Sequence, residues 1–174
     1  MTPPAPLLAE AFPEVKALAD LLVERELSVA VAESCTGGLL GAALTSFPGA
    51  SGSLVGGVIA YSNEVKMALL GVPEAMLEEH GAVSEPVARA LAEGVRGLLG
   101  ADFGAGVTGV AGPTAEGSDK PPGLVYVAVA GPGEGEMRVV RLTEDRGREG
   151  NRAAAVHAAL QLLQDAVDSA AAGS

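Results

Sequence analysis

Apolar positions recur along this chain with two periods, and the alternation between them outlines its elements. Val15, Leu18 and Leu22 fall on one face of a helix that opens at Pro13, and Leu27 to Glu33 then reads as a strand. A helix begins near Gly38 and runs to about Ser46, where Phe47-Pro48-Gly49-Ala50-Ser51 breaks the pattern. Leu54 to Tyr61 is a continuous apolar run of strand length, the pattern expected of a strand buried on both faces. Ser84 is placed to cap a helix with Pro86 in its first turn and Val87, Leu91, Val95 and Leu98 along one face. Phe103 to Thr108 is a third strand. Beyond a loop rich in glycine and proline, Gly123 to Ala130 and Met137 to Leu142 form an antiparallel hairpin that turns at Pro132-Gly133. Val156, Leu160, Leu163 and Val167 give the last helix a buried stripe.

This order of elements predicts an α/β fold. We expect a single three-layer α/β/α domain with a mixed, mostly parallel sheet and a C-terminal β-hairpin, binding its ligand at the C-terminal ends of the strands. Residues 1–9, with prolines at 3, 4 and 6, read as a flexible leader, residues 10–169 as the domain, and residues 170–174 as a flexible tail.

Composition sharpens the picture. The 174 residues are 48% hydrophobic but include 24 glycines, three phenylalanines, two tyrosines and no tryptophan, which predicts an aliphatic core packed by small residues. Eleven basic residues against 22 acidic ones give a net charge of -11, a field that repels phosphate backbones and argues against nucleic-acid binding. No apolar run reaches the length of a membrane span, and the lone cysteine, Cys35, leaves no internal disulfide; together they point to a reduced, cytoplasmic setting.

Five places carry candidate chemistry. The first is Ala32-Glu33-Ser34-Cys35-Thr36-Gly37-Gly38, a strand-to-helix turn where unpaired N–H groups and the positive end of the helix dipole meet hydroxyls and a thiol. In isolation such a turn reads first as an ordinary Ser or Thr N-cap with a glycine turn. The second is Tyr61-Ser62-Asn63-Glu64-Val65-Lys66, notable because the chain has lysines only at 16, 66 and 120. A relay is one reading of Tyr61 and Lys66, and a solvated tyrosine and lysine the other. Val107-Thr108-Gly109-Val110-Ala111-Gly112-Pro113 ends a strand in a hydroxyl and a glycine turn, and Lys120-Pro121-Pro122-Gly123 holds a lysine in a stiff turn. Arg146, Arg148 and Arg152 suit phosphate recognition, or pair with the nearby Glu144, Asp145 and Glu149.

Histidines at 80 and 157 alone have no motif around them and no metal-ligand spacing, so neither a metal nor a Ser-His-Asp arrangement is expected. A serine activated by lysine fits better, provided the lysine is desolvated enough to lower its pKa. Ser34 ranks first as nucleophile, with Cys35 its rival.

The strings A-E-S-C-T-G-G (32–38), G-G-V-I-A-Y-S-N-E-V-K (56–66), L-G-V (70–72), H-G-A-V-S (80–84), V-T-G-V-A-G-P (107–113) and K-P-P-G (120–123), in this order and spacing, closely resemble the CinA C-terminal family over Phe12 to Val167. The resemblance implies a nicotinamide mononucleotide amidohydrolase, converting the carboxamide of that nucleotide to a carboxylate and releasing ammonia in pyridine nucleotide salvage. No cofactor is implied, the partner is the small nucleotide substrate, and a homo-oligomer, foremost a dimer, is expected. Carried over by motif, Ser34, Tyr61 and Lys66 are the catalytic residues and Thr36, Gly37, Gly38, Thr108, Gly112, Lys120, Arg146 and Arg152 the substrate-binding ones. In that scheme Lys66, linked through Tyr61, takes the Ser34 proton, N–H groups from Thr36 to Gly38 hold the oxyanion, and Thr108 orients the amide. Attack by lysine-activated water, with Ser34 only binding substrate, is a variant. The sequence departs from the family pattern at Thr114-Ala115-Glu116-Gly117 and at Glu144-Asp145-Arg146, which bears on the phosphate contacts. The alternative is a non-catalytic nucleotide-sensing or protein-interaction module linked to competence or the DNA damage response; hydrolysis of another nucleotide or a small pyridine amide is a third reading.

Overall fold

A computed structural model describes residues 7–114 and 118–172. The elements are α1 (Leu8–Ala11), α2 (Val15–Glu24), β1 (Val29–Glu33), α3 (Leu39–Leu44), a 3-10 turn (Ala50–Gly52), β2 (Leu54–Ile59), α4 (Asn63–Leu70), α5 (Glu74–His80), α6 (Glu85–Leu99), β3 (Phe103–Gly109), β4 (Val125–Ala130), β5 (Met137–Leu142) and α7 (Gly147–Ala172). One helical turn, Leu8–Ala11, spans the boundary drawn at residue 9, and α7 continues to Ala172. Helix α5 has no apolar stripe strong enough to have announced it; none of its residues is buried.

The five strands form one sheet in the order β2-β1-β3-β4-β5. β1 pairs in parallel with both β2 and β3, while β3–β4 and β4–β5 are antiparallel, so β4 alone runs against the other four. The chain leaves β1 for β2 on one side and returns to β3 on the other. A crevice therefore opens beyond the C-terminal ends of β1 and β3, the point where ligands bind in open α/β sheets.

Two unequal cores flank the sheet. On one face, α2, α3 and α7 pack large aliphatic side chains against Val29, Val31, Phe103, Val107, Val125 and Val127. The other face is floored by small residues, Ala30, Ala32, Gly104, Gly106, Ala128 and Ala130, and α6 lies directly on it. A methyl group at Gly104 would sit 2.1 Å from the Ala92 carbonyl oxygen, and one at Gly106 2.5 Å from that of Ala88. Glycine is required at both positions because the helix backbone occupies the space a side chain would take.

Two local expectations are corrected. Leu54 to Tyr61 is an edge strand with alternating exposure and is not buried on both faces: Val55 is 49% and Ile59 57% exposed. The six-residue α3 is too short to cover that side, and Gly56 and Gly57 extended the apolar run without supplying side chains to bury. Along α6, Val87, Leu91 and Val95 are fully buried as expected, but Leu98 is 51% exposed, and Ala88 and Ala92 complete the buried face. Ser84 stands at the N-cap, yet its hydroxyl turns back to donate to the Gly81 carbonyl at 2.8 Å.

Candidate active site

The crevice beyond β1 and β3 is a cleft of about 260 Å³. Ser34 enters it from the end of β1, Thr108 to Gly112 from the end of β3, Tyr61, Asn63 and Lys66 from the start of α4, Ala82 and Val83 from the loop before α6, and Arg148 from the first turn of α7. Segments far apart in the chain converge here because the sheet reverses its winding between β1 and β3.

Lys66 is the most constrained group. Helix α4 starts with Ser62, whose hydroxyl accepts from the Val65 N–H, and the same helix buries Lys66 and Leu70 against the sheet. Lys66 is 1% exposed and has no carboxylate partner among the described residues. Its amino group donates to the Tyr61 carbonyl at 3.1 Å and meets Ser34 Oγ at 3.3 Å. Burial holds its pKa below the ordinary lysine value of 10.5 and outweighs the opposing influence of Cys35 and Glu64. A lysine so placed loses its proton more readily than one in water and faces a hydroxyl that can donate to it.

Tyr61 contributes differently from the expected relay. Its main-chain carbonyl fixes Lys66, while its side chain is 60% exposed at the mouth of the cleft. Cys35 is buried, and burial pushes its thiol up to about 11, so near neutrality it is a small apolar neighbour and not a thiolate.

The turn that follows Ser34 is built by a residue that the sequence left in the background. Glu33, 1% exposed, accepts hydrogen bonds from the N–H groups of Gly38, Leu40 and Gly41 at 3.2, 2.9 and 2.8 Å. Its carboxylate therefore occupies the start of α3. Gly37 and Gly38, at φ of 59° and 99°, let the chain curl around it, and the Gly37 N–H donates to the Ser34 carbonyl. Oxyanion donors expected from Thr36 to Gly38 are thus partly spent. Among the described residues, the N–H groups of Cys35 and Thr36 are the ones in this turn that donate to no other residue. The Thr36 hydroxyl is buried without a partner among the described residues.

The remaining candidates separate. Thr108 is buried and donates to the Ala82 carbonyl at 2.8 Å, tying β3 to the opposite wall of the cleft, and Gly112 lines it. Lys120 lies outside the lining: its amino group donates to the carbonyls of His80 and Val83 and so staples the loop that carries Ala82 and Val83. Arg146 is also outside, paired at 2.6 Å with Glu144 on an exposed surface. Arg152 donates to the Thr36 carbonyl at 3.0 Å and pairs with Glu149, bracing the Ser34 turn from behind. The arginine in the cleft is Arg148, which also donates to the Gly112 carbonyl at 2.8 Å. Asn151 orders this corner, donating to the Ala111 carbonyl and Asp145 while accepting from the Arg146 N–H. Of the departures from the family pattern, residues 115–117 lie outside the described residues. Among the described residues no group of three or more His, Cys, Asp or Glu is placed to hold a metal ion, and no helix is long and apolar enough to cross a membrane.

The sequence profile of the CinA C-terminal domain matches residues 13–167. This chain belongs to the CinA C-terminal domain family. It is 53% identical over 148 residues to a CinA-like protein of Gloeobacter violaceus, and 54% identical over 141 residues to one of Gemmatimonas aurantiaca. These matches take in 85% and 81% of the chain but 35% and 32% of the relatives, so the chain spans about a third of their length. A competence/damage inducible protein from Agrobacterium tumefaciens superposes with a TM-score of 0.80 at 36% identity, covering 87% of this chain and 94% of that one. The competence damage-inducible protein A from Klebsiella pneumoniae superposes with a TM-score of 0.84 at 32% identity, covering 89% and 95%. The CinA fold therefore accounts for the mixed five-stranded sheet and the crevice it creates.

Proposed function

We propose that this CinA-family chain hydrolyses the carboxamide of nicotinamide mononucleotide to nicotinate mononucleotide and ammonia. The observation that carries the reading is the pairing of a buried lysine, its pKa lowered by desolvation, with a serine hydroxyl at the floor of a cleft. Lys66, neutral and held by the Tyr61 carbonyl, takes the Ser34 proton as Oγ attacks the amide carbon. The Cys35 and Thr36 N–H groups receive the developing oxyanion. Lys66 returns the proton to the departing nitrogen, ammonia leaves, and water cleaves the acyl-serine as Lys66 takes its proton and restores the Ser34 hydroxyl. Thr108, bonded to Ala82, keeps the pyridine pocket in shape, and Arg148 is the cation within the cleft for the phosphate.

The test is incubation of the protein and a Ser34→Ala variant with nicotinamide mononucleotide, following ammonia and the acid product by chromatography. Turnover in the parent, abolished in a folded variant, is expected. Saturable nucleotide binding by a parent that forms no product overturns the enzymatic reading in favour of a sensor.

A further inference from the structure

We infer that Lys120 is a positioning residue, a strut that sets the spacing between two walls of the cleft without touching the substrate. Its consequence for turnover rests on the proposed amide hydrolysis; its consequence for the wall does not. One wall is the connection between α5 and α6, where Ala82 and Val83 line the cleft. Little else holds it: no residue of α5 is buried, and the N–H groups of Ala82 and Val83 meet no acceptor among the described residues. The connection is fixed by side chains that capture four consecutive carbonyls. Thr108 donates to that of Ala82 at 2.8 Å, Ser84 to that of Gly81 at 2.8 Å, and Lys120 Nζ both to that of His80, at 2.8 Å, and to that of Val83. Lys120 thus bridges the last residue of α5 and the residue before the N-cap of α6. Among the described residues it pairs with no carboxylate, so these charge-assisted bonds are its own anchorage as well as the wall's.

The other wall is Gly109 to Pro113, and the turn that carries Lys120 is fastened behind it. The Val110 N–H donates to the Leu124 carbonyl at 2.8 Å, and the Gly123 N–H to the Val110 carbonyl at 2.9 Å. Pro121 and Pro122 stand between Gly123 and Lys120 and stiffen that stretch, and Pro122 Cβ lies 3.2 Å from where a Gly112 side chain would begin. The ammonium is therefore held at a set reach from Val110, and the Ala82–Val83 wall is held by the ammonium. Gly81 makes room for it. Its φ is 75°, and a side chain there would begin 2.9 Å from Lys120 Nζ, so a methyl group moves the ammonium off its carbonyls.

The experiment compares the parent, Lys120→Met, Gly81→Ala and the double variant by hydrogen exchange and by kinetics. Loss of the strut should speed exchange of the α5 amides about 10-fold or more in both single variants, with β1 and α7 unchanged. Because Gly81→Ala already displaces the ammonium, adding Lys120→Met to it should change nothing further. Unchanged α5 exchange in Lys120→Met overturns the proposal, as does a double variant whose effects simply add. With nicotinamide mononucleotide, Lys120→Met should raise KM about 10-fold and leave kcat within about threefold, since Ser34 and Lys66 are untouched. A loss confined to kcat overturns the positioning role. Nicotinamide riboside should lose the same factor in kcat/KM, and a defect seen only with the nucleotide means that Lys120 holds the phosphate directly, which also overturns it. A parent without turnover sinks the amide hydrolysis alone, and exchange still decides the strut.

Discussion

Lys66 Nζ stands 3.3 Å from Ser34 Oγ with the Tyr61 carbonyl as its other partner, so a buried amine with no countercharge among the described residues faces the candidate nucleophile. The pKa of Lys66 is lowered because its charged form is desolvated. Activity should therefore rise with pH as Lys66 loses its proton, with a midpoint below 10.5. Lys66→Met should remove that limb and lower kcat about a thousandfold, while Lys66→Arg, which stays charged, should not rescue it. A pH–rate profile of the three proteins decides the point.

The same group links pH to stability. Between the lowered folded pKa of Lys66 and its ordinary value of 10.5 the unfolded chain binds more protons than the native one, so Lys66 makes stability increase with pH across that window. Below the folded value both states are protonated and the penalty of the buried charge is fully present. Lys66→Met, which removes the penalty, should gain most in stability at the low end of that window and least near 10.5. Urea melts of parent and variant as a function of pH measure this directly.

Glu33 next to Ser34 gives a prediction of a different kind. Three N–H groups converge on its buried carboxylate, and Glu33→Gln replaces an all-acceptor group by one that must turn a donor toward some of them. A loss of about 2 kcal/mol is expected. Since the turn also sets Ser34, kcat should fall more than KM rises. Denaturant titration together with initial rates tests both.

Packing beneath α6 predicts opposite signs for two similar substitutions. Gly104→Ala drives a methyl into the Ala92 carbonyl and should destabilise by about 3 kcal/mol. Gly97→Ala, on the exposed side of α6 with nothing within 4 Å of the new carbon, should stabilise by about 0.7 kcal/mol through helix propensity. Thermal melting of the two variants compares the strand beneath α6 with the exposed side of the helix itself.

What the sequence made legible follows from how local each signal is. The stripe Val156, Leu160, Leu163 and Val167, the hairpin at Pro132-Gly133 and the turn after β1 are short-range patterns, and each appears where its spacing places it. Lys66 stood out because lysine is scarce. Glu33 did not, since a carboxylate ending a strand looks solvated until the following turn is seen to wrap around it. Lys120 is similarly a matter of long-range contact: its partners, His80 and Val83, are carbonyls of a loop far back in the chain, and carbonyls leave no mark in a sequence. The edge position of β2 was hidden because glycines 56 and 57 read as part of an apolar run.

Nothing in the sequence set Arg148 above Arg146 as the arginine of the cleft, but Arg146 precedes α7 and Gly147, at a φ of 72°, turns the chain between the two. Arg146 therefore meets Glu144 on the surface while Arg148 reaches the cleft. If the phosphate of the nucleotide is held there, Arg148→Ala should raise KM by about 10- to 100-fold, the worth of one charge-assisted contact, with a smaller change in kcat. Arg146→Ala should leave both nearly unchanged. Arg148 also donates to the Gly112 carbonyl, so a loosened cleft wall is a competing cause of any defect. Nicotinamide riboside separates the two. Without a phosphate to lose, it should react equally with parent and variant if Arg148 binds the anion, and should show the full defect if Arg148 only braces Gly112.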